Sequence, residues 1–164
     1  MVKPTQPRQL DHPDVAPHRV NAVHDCPAPA SSVFAVLADN PGAARWLGWY
    51  VTSVATTSTA EHGVGSTRAV SWLYGIGRLE ERFIGWEEPS LWSFTLTGAR
   101  PGLFREFVER IRIEPLGEDS CRVHYDMGVD FTPFGKVLAR PLIAWVNQEI
   151  GSTLQRLSDA AVAR

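Results

Sequence analysis

In the last third of the chain one set of side chains recurs every three or four positions. Leu142, Val146, Ile150, Thr153, Leu154, Leu157 and Ala161 fall on one face of a helix, with Gln148, Ser152, Gln155 and Asp159 opposite. Pro133 and Pro141 stand where a missing N–H costs least. The pattern therefore predicts a helix from near Pro141 to the end, after a shorter turn over residues 134–139. At 1.5 Å per residue it spans roughly 33 Å, about the width of a whole domain. Upstream the period changes from about 3.6 to two. Strands are predicted over residues 18–26, 50–57, 66–74, 78–86, 91–97, 104–114 and 121–131, joined by turns carrying Gly63, Gly65, Gly75, Gly77, Pro89 and Gly117. Short connections make these antiparallel hairpins.

Two short helices interrupt the strands. One is expected to take Ser31 or Ser32 as its N-cap and carries Val33, Phe34, Val36 and Leu37; the other follows Asn40-Pro41 and holds Trp46. The class is α+β: a curved seven-stranded antiparallel sheet, with two short helices after its first strand, wrapped around one long C-terminal helix. Residues 1–17 carry Pro4, Pro7, Pro13 and Pro17 and read as an extended arm without structure of its own, either disordered or lying along the surface of a domain over residues 18–164.

Alternation also assigns faces. Val123, Tyr125, Met127, Val129 and Phe131 share one side of the last strand, with Arg122, His124, Asp126 and Asp130 opposite. Phe107, Ile111 and Ile113 join the apolar side, followed by Trp92, Phe94 and Leu96, then Leu79 and Phe83, then Val70 and Trp72. Two carboxylates, Glu81 and Glu109, land among them. An ionised carboxylate there must be partnered, hydrated or raised in pKa, which makes both candidates for acid–base chemistry. The alternatives are a structural pairing with Arg68 or Arg105, or a bulge near Gly85 that turns one or both to water. His24 shares the side of Val20 and Ala22, either as a proton carrier or ligand contact or as a satisfied core residue.

The inner face is rich in large rings, and a curved sheet under one helix has difficulty filling its concave side. Either the rings meet in a solid core or they leave a mostly apolar hollow with a few polar groups. In the second case the walls are Trp72, Phe83, Trp92, Phe94, Phe107, Ile111, Tyr125 and Met127 from the sheet, His24 at its edge, and Leu142, Trp145, Val146, Glu149, Ile150 and Thr153 from the helix.

Composition narrows the partners. A chain of 164 residues, 44% hydrophobic and 21% charged, is long enough for one domain with a sizeable core. A net charge of −2 with no Lys/Arg run gives no footprint for nucleic acid or a membrane surface. No apolar run approaches the ~20 residues of a membrane span, and no secretory pattern opens the chain, so a cytoplasmic protein is expected. Cys26 and Cys121 read as small buried thiols; with His24 they lack the further ligands a metal needs, and no metal or cofactor is expected. An exposed edge strand over residues 50–57 offers a surface for a homodimer.

Several phrases in order carry a resemblance. They are His24-Asp25-Cys26-Pro27-Ala28-Pro29 leading into Val33-Phe34, the segment from Asp39 to Trp46, Gly63-Val64-Gly65, and EERFIGWEEP from Glu81 to Pro89. From about Arg19 to Ala163 the chain resembles the START-like, Bet v 1-like helix-grip (SRPBCC) superfamily, and within it the bacterial polyketide cyclase/dehydrase-like group. The resemblance implies a helix-grip fold that holds a polyketide, lipid or other apolar molecule between sheet and last helix. A minority of members catalyse cyclisation, aromatisation or dehydration there, but no invariant catalytic set is shared. Three functions follow as expectations: a binding module for a small hydrophobic or aromatic molecule, a cyclase- or dehydratase-like enzyme using Glu81 or Glu109 as general acid or base, and an interaction protein with a filled core.

Overall fold

The seven expected strands all form, and a two-residue strand precedes them in a computed structural model that describes residues 1–164. In chain order the elements are β1 (Lys3–Pro4), α1 (His12–Val15), β2 (His18–Cys26), α2 (Ala30–Ala38), α3 (Ala44–Leu47) and β3 (Val51–Thr56). There follow β4 (Thr67–Trp72), β5 (Gly77–Glu87), β6 (Leu91–Arg100), β7 (Phe104–Gly117), β8 (Ser120–Phe131) and α4 (Lys136–Val162). The sheet runs β2-β8-β7-β6-β5-β4-β3, antiparallel throughout, with β1 attached to β6. Among the seven long strands only the β2–β8 pair is non-local, and it brings the first of them beside the last. No helix is long and apolar enough to cross a membrane.

Helix α4 packs against α2, α3, β2 and β8 on the inner side of the sheet. Its second half is anchored in the core: Ile150, Leu154, Leu157 and Ala161 are buried with Val33, Phe34 and Leu37 of α2 and Phe83, Trp92 and Leu96 of the sheet. Its first half buries only Ala139 completely. Directly opposed pairs such as Glu109 with Met127 and Ile111 with Tyr125 put the inner-face residues of neighbouring strands side by side.

Four local features differ from the sequence expectation. Helix α4 starts at Lys136 rather than near Pro141. The Thr132 hydroxyl accepts the Gly135 N–H at 3.0 Å and the Thr132 carbonyl accepts the Lys136 N–H at 3.0 Å, so the first turn is set before the proline. Pro141 then deprives only the Val137 carbonyl of its partner, on a turn exposed to water. Helix α2 is entered through Pro29, whose extended ψ of 147° precedes the first turn, so Ser31 and Ser32 lie inside it rather than capping it. Strand β4 ends at Trp72 because Leu73 and Tyr74 take positive φ values of 47° and 56° in the turn to β5. That turn lays the Trp72 indole over Gly77, where a Cβ would come within 1.9 Å of the ring.

The fourth is in the arm, which takes the surface course that was one of its two expected alternatives but carries β1 and α1 where no structure of its own was expected. Residues 3–16 lie along the outer face, where Lys3 pairs with Ala99 and Pro4 with Gly98. The Thr5 N–H donates to the Thr97 carbonyl of β6 at 3.2 Å and the Gln6 N–H to the Arg105 carbonyl of β7 at 2.7 Å. These bonds bridge the two strands beyond Thr95–Val108, the last pair of their own ladder. Helix α1 rests on β7 and β8 with His12 and Pro13 buried, close enough that a Cβ on Gly128 would meet the Pro13 backbone at 2.6 Å. Ion pairs from Arg8 to Glu106 and from Arg110 to Asp14, the latter at 2.8 Å, hold the arm down. Four prolines keep the arm from continuing as a strand, but the sheet supplies acceptors and charges for the donors it retains.

Candidate functional site

Between the first half of α4 and the inner face of the sheet lies a cavity of about 460 Å³. It is bounded by the end of α3 and the residues after it, the β4–β5 turn, the start of β7, the inner residues of β7 and β8, and α4 from Leu142 to Leu154. Of its 26 lining residues 23 are hydrophobic, so the few polar groups stand out. Nine of the lining residues are aromatic. Tyr50 meets Trp145 edge to face at 5.0 Å, and Phe104 packs on both Phe107 and Phe131. Trp49 and Trp145 are exposed at the mouth.

Glu109 is the one charged group on the sheet side of this wall. Strand β7 places it between Phe107 and Ile111, opposite Met127 on β8 and Phe94 on β6. What surface it retains is that of the cavity it lines. The Tyr125 hydroxyl donates to Glu109 Oε2 at 3.0 Å, and no cation is paired with it. Burial, reinforced by the nearby Glu81 charge, pushes the Glu109 carboxyl up to about 7; the Tyr125 hydrogen bond and Arg68 pull the other way. The same burial, with the Glu109 charge, holds the Tyr125 phenol well above its ordinary range, and Tyr50 is raised for the same two reasons.

Glu81 has a different setting. It is buried, its Oε2 accepts the Arg68 Nε–H at 2.6 Å, and Arg68 also donates to Asn40 Oδ1 at 3.2 Å. The Arg68 guanidinium lies 4.8 Å from the centre of the Trp92 ring and 5.3 Å from those of Phe83 and Phe94. Burial raises the Glu81 carboxyl and Arg68 opposes it. This pair fills the space behind the cavity and does not line it.

The cavity thus brings together Trp72, Phe107, Glu109, Ile111, Tyr125, Met127, Leu142, Trp145, Val146, Glu149, Ile150 and Thr153. It does not include Phe83, Trp92, Phe94 or His24, a correction to the wall drawn from alternation, nor Glu81, the other candidate for acid–base chemistry. Phe83, Trp92 and Phe94 share the inner face but pack on one another and on the Arg68 guanidinium, outside the hollow. His24 lies opposite Val123 at the β2 edge, away from the hollow. Sequence reasoning missed Trp46, Leu47, Trp49 and Tyr50, which lie on α3 or the loop after it and so carry no strand alternation. It also missed Phe104: a register shift between Phe104 and Glu106 turns this ring inward, opposite Phe131, which simple alternation along β7 forbids. Aromatic density at residues 46–50 was the available signal.

A second concavity, of about 690 Å³, lies between α2 and the β5–β6 turn and includes Asp39, Glu61, His62, Glu88 and Arg164. Only three of its 13 lining residues are hydrophobic, so it lacks the walls that would retain an apolar guest.

The sequence profile of a family described as polyketide cyclase / dehydrase and lipid transport matches residues 17–162. No curated protein sequence is detectably similar. Among solved structures, TTHA0849 from Thermus thermophilus superposes with a TM-score of 0.71 at 21% identity, covering 89% of this chain and 98% of that one. Norcoclaurine synthase from Thalictrum flavum, in complex with dopamine and hydroxybenzaldehyde, superposes with a TM-score of 0.67 at 16% identity, covering 96% and 94% of the two chains. Ara h 8.0201 does so with a TM-score of 0.67 at 12% identity, covering 90% and 99%. At these identities the likeness is one of fold.

Proposed function

The chain belongs to the polyketide cyclase / dehydrase and lipid transport family, and on that premise we propose that it binds a small hydrophobic or aromatic molecule between its sheet and α4. The observation that carries this reading is the cavity itself. Its 460 Å³ would hold roughly fifteen waters at about 30 Å³ each, yet its walls offer them few hydrogen bonds. Replacing such water by an apolar guest releases solvent from aromatic surface on both sides, a gain of about 25 cal/mol per Å² of apolar area. Trp145 and Trp49 at the mouth give the guest a first surface to meet.

An environment-sensitive apolar dye tests this directly. The full chain is expected to bind one dye molecule, and purified protein in native mass spectrometry is expected to carry an apolar guest. Val146→Trp, which places an indole in the cavity from the half-buried face of α4, should weaken dye binding by about tenfold or more with an unchanged far-UV spectrum. Leu142→Trp repeats the test from the next turn. Dye affinity equal to wild type in both filled variants would contradict the proposal.

One observation favours a second reading, acid–base catalysis on the bound molecule. A carboxyl at about 7 holds and releases a proton near neutrality, and Tyr125 at 3.0 Å fixes its orientation. Glu109 would take a proton from an acidic carbon, or deliver one to a departing hydroxyl. Glu109→Gln should then remove turnover while leaving dye affinity within about twofold of wild type, because its volume is conserved.

A further inference from the structure

We propose that the cavity selects molecules that carry a protonated amine on an aromatic or other apolar skeleton, and rejects those that carry a carboxylate. This rests on the binding reading above and names the chemistry of the guest. Among the 26 lining residues there is no lysine, arginine or histidine; the only charged side chains are Glu109 and Glu149. Two arginines approach from behind the walls, and both are engaged. Arg68 is held by Glu81 at 2.6 Å and Asn40 at 3.2 Å under three aromatic rings. Arg156 donates to the Trp46 carbonyl at 2.9 Å and to Thr153 Oγ1 at 3.0 Å, with Glu149 at 4.0 Å. Glu149 at the mouth therefore has a cation beside it, whereas Glu109 in the interior has only the Tyr125 hydroxyl.

That asymmetry sets the preference. A carboxylate brought into this space would meet Glu109 across a poorly screening interior with nothing to neutralise either charge. An ammonium would supply the counter-charge that Glu109 lacks, and would lie among ring faces that attract cations. A neutral alcohol of the same shape would gain the apolar contacts and little more. Arg68 cannot turn to serve an anion without leaving Glu81 unpaired, so the sign of the selection is built into the wall.

Three compounds with one skeleton separate the possibilities: 2-naphthylmethylamine, 2-naphthylmethanol and 2-naphthoate, titrated calorimetrically into the full chain at pH 8. The amine should bind about tenfold more tightly than the alcohol, and the carboxylate more weakly than both. Glu109→Gln should bring amine and alcohol to within about threefold of each other and improve the carboxylate, while Glu118→Gln, on the exposed β7–β8 turn outside the cavity, should leave the order unchanged. The wild-type comparison needs no variant to fold. A carboxylate that matches the amine, an amine advantage that survives Glu109→Gln, or dye binding without amine binding would overturn this selection and leave the cavity as a site for neutral guests. Failure of the dye and all three compounds would overturn the binding reading as well.

Discussion

Glu109 gives up its proton only around neutrality, because the protein removes water from it without supplying a cation. Glu81, on the next but one strand, loses its water too but gains Arg68. This difference has a measurable consequence. The Glu109 carboxyl titrates near 4.5 when free and at about 7 in the fold. Between these values the folded chain holds a proton that the unfolded chain has released, so its contribution is full below about 4.5 and is lost as pH rises through 7. The loss is on the order of 3 kcal/mol, which Glu109→Gln should abolish. Urea unfolding of both proteins at pH 5 and pH 8 checks it, and comparing the two cancels titrations they share. Equal pH dependence would contradict the assignment of Glu109 as the cavity's protonated carboxyl. Strand alternation was enough to place both glutamates on the inner face. It could not tell which of them Arg68 reaches, because that depends on register across β4 and β5, where Arg68 stands directly opposite Glu81.

At the scale of elements, α4 is two structures in one. From Ile150 onward its inward side chains are buried against α2 and the sheet; from Lys136 to Glu149 it roofs a cavity and buries one residue completely. Packing, more than propensity, holds a helix in water, so the roof should open more readily than the anchored half. Backbone amides of residues 136–149 are expected to exchange with deuterium roughly tenfold faster than those of residues 150–162, and to slow when the dye is bound. Uniform protection along α4, unchanged by dye, would mean that the roof is not the moving part. The apolar stripe from Leu142 to Ala161 made this helix legible in the sequence, and glycine-bearing turns did the same for the hairpins. Its start was not legible, since it depends on Thr132 capping a turn whose partners, the Gly102 and Leu103 carbonyls, come from another loop.

For the whole molecule, the balance is between a curved sheet and a long helix that touches it only in part. Contact with β2 and β8 fixes one side of α4, and α2 fixes its far half; the remaining space is too wide for side chains to close. The N-terminal arm, bonded to both β6 and β7 on the outer face, braces the sheet from behind. The number of long strands and their hairpin pairings follow from alternation and turns, whereas the pairing of β2 with β8 does not. The arm's docking does not, because its donors are satisfied by distant residues such as Thr97 and Arg105. The size of the hollow was equally out of reach, as it depends on Phe104, Tyr50 and Trp46 turning inward at a bulge, a loop and a short helix.

The six tryptophans divide on this geometry: Trp46, Trp49, Trp72 and Trp145 line the cavity, while Trp86 and Trp92 do not. Fluorine NMR of the chain labelled with 5-fluorotryptophan, titrated with one equivalent of the apolar dye, therefore locates the guest in one measurement. Resonances of Trp46, Trp72 and Trp145 should move together and saturate at one dye per chain, with Trp92 and Trp86 left in place. Movement confined to Trp86 and Trp92, or no movement at saturating dye, would contradict the account.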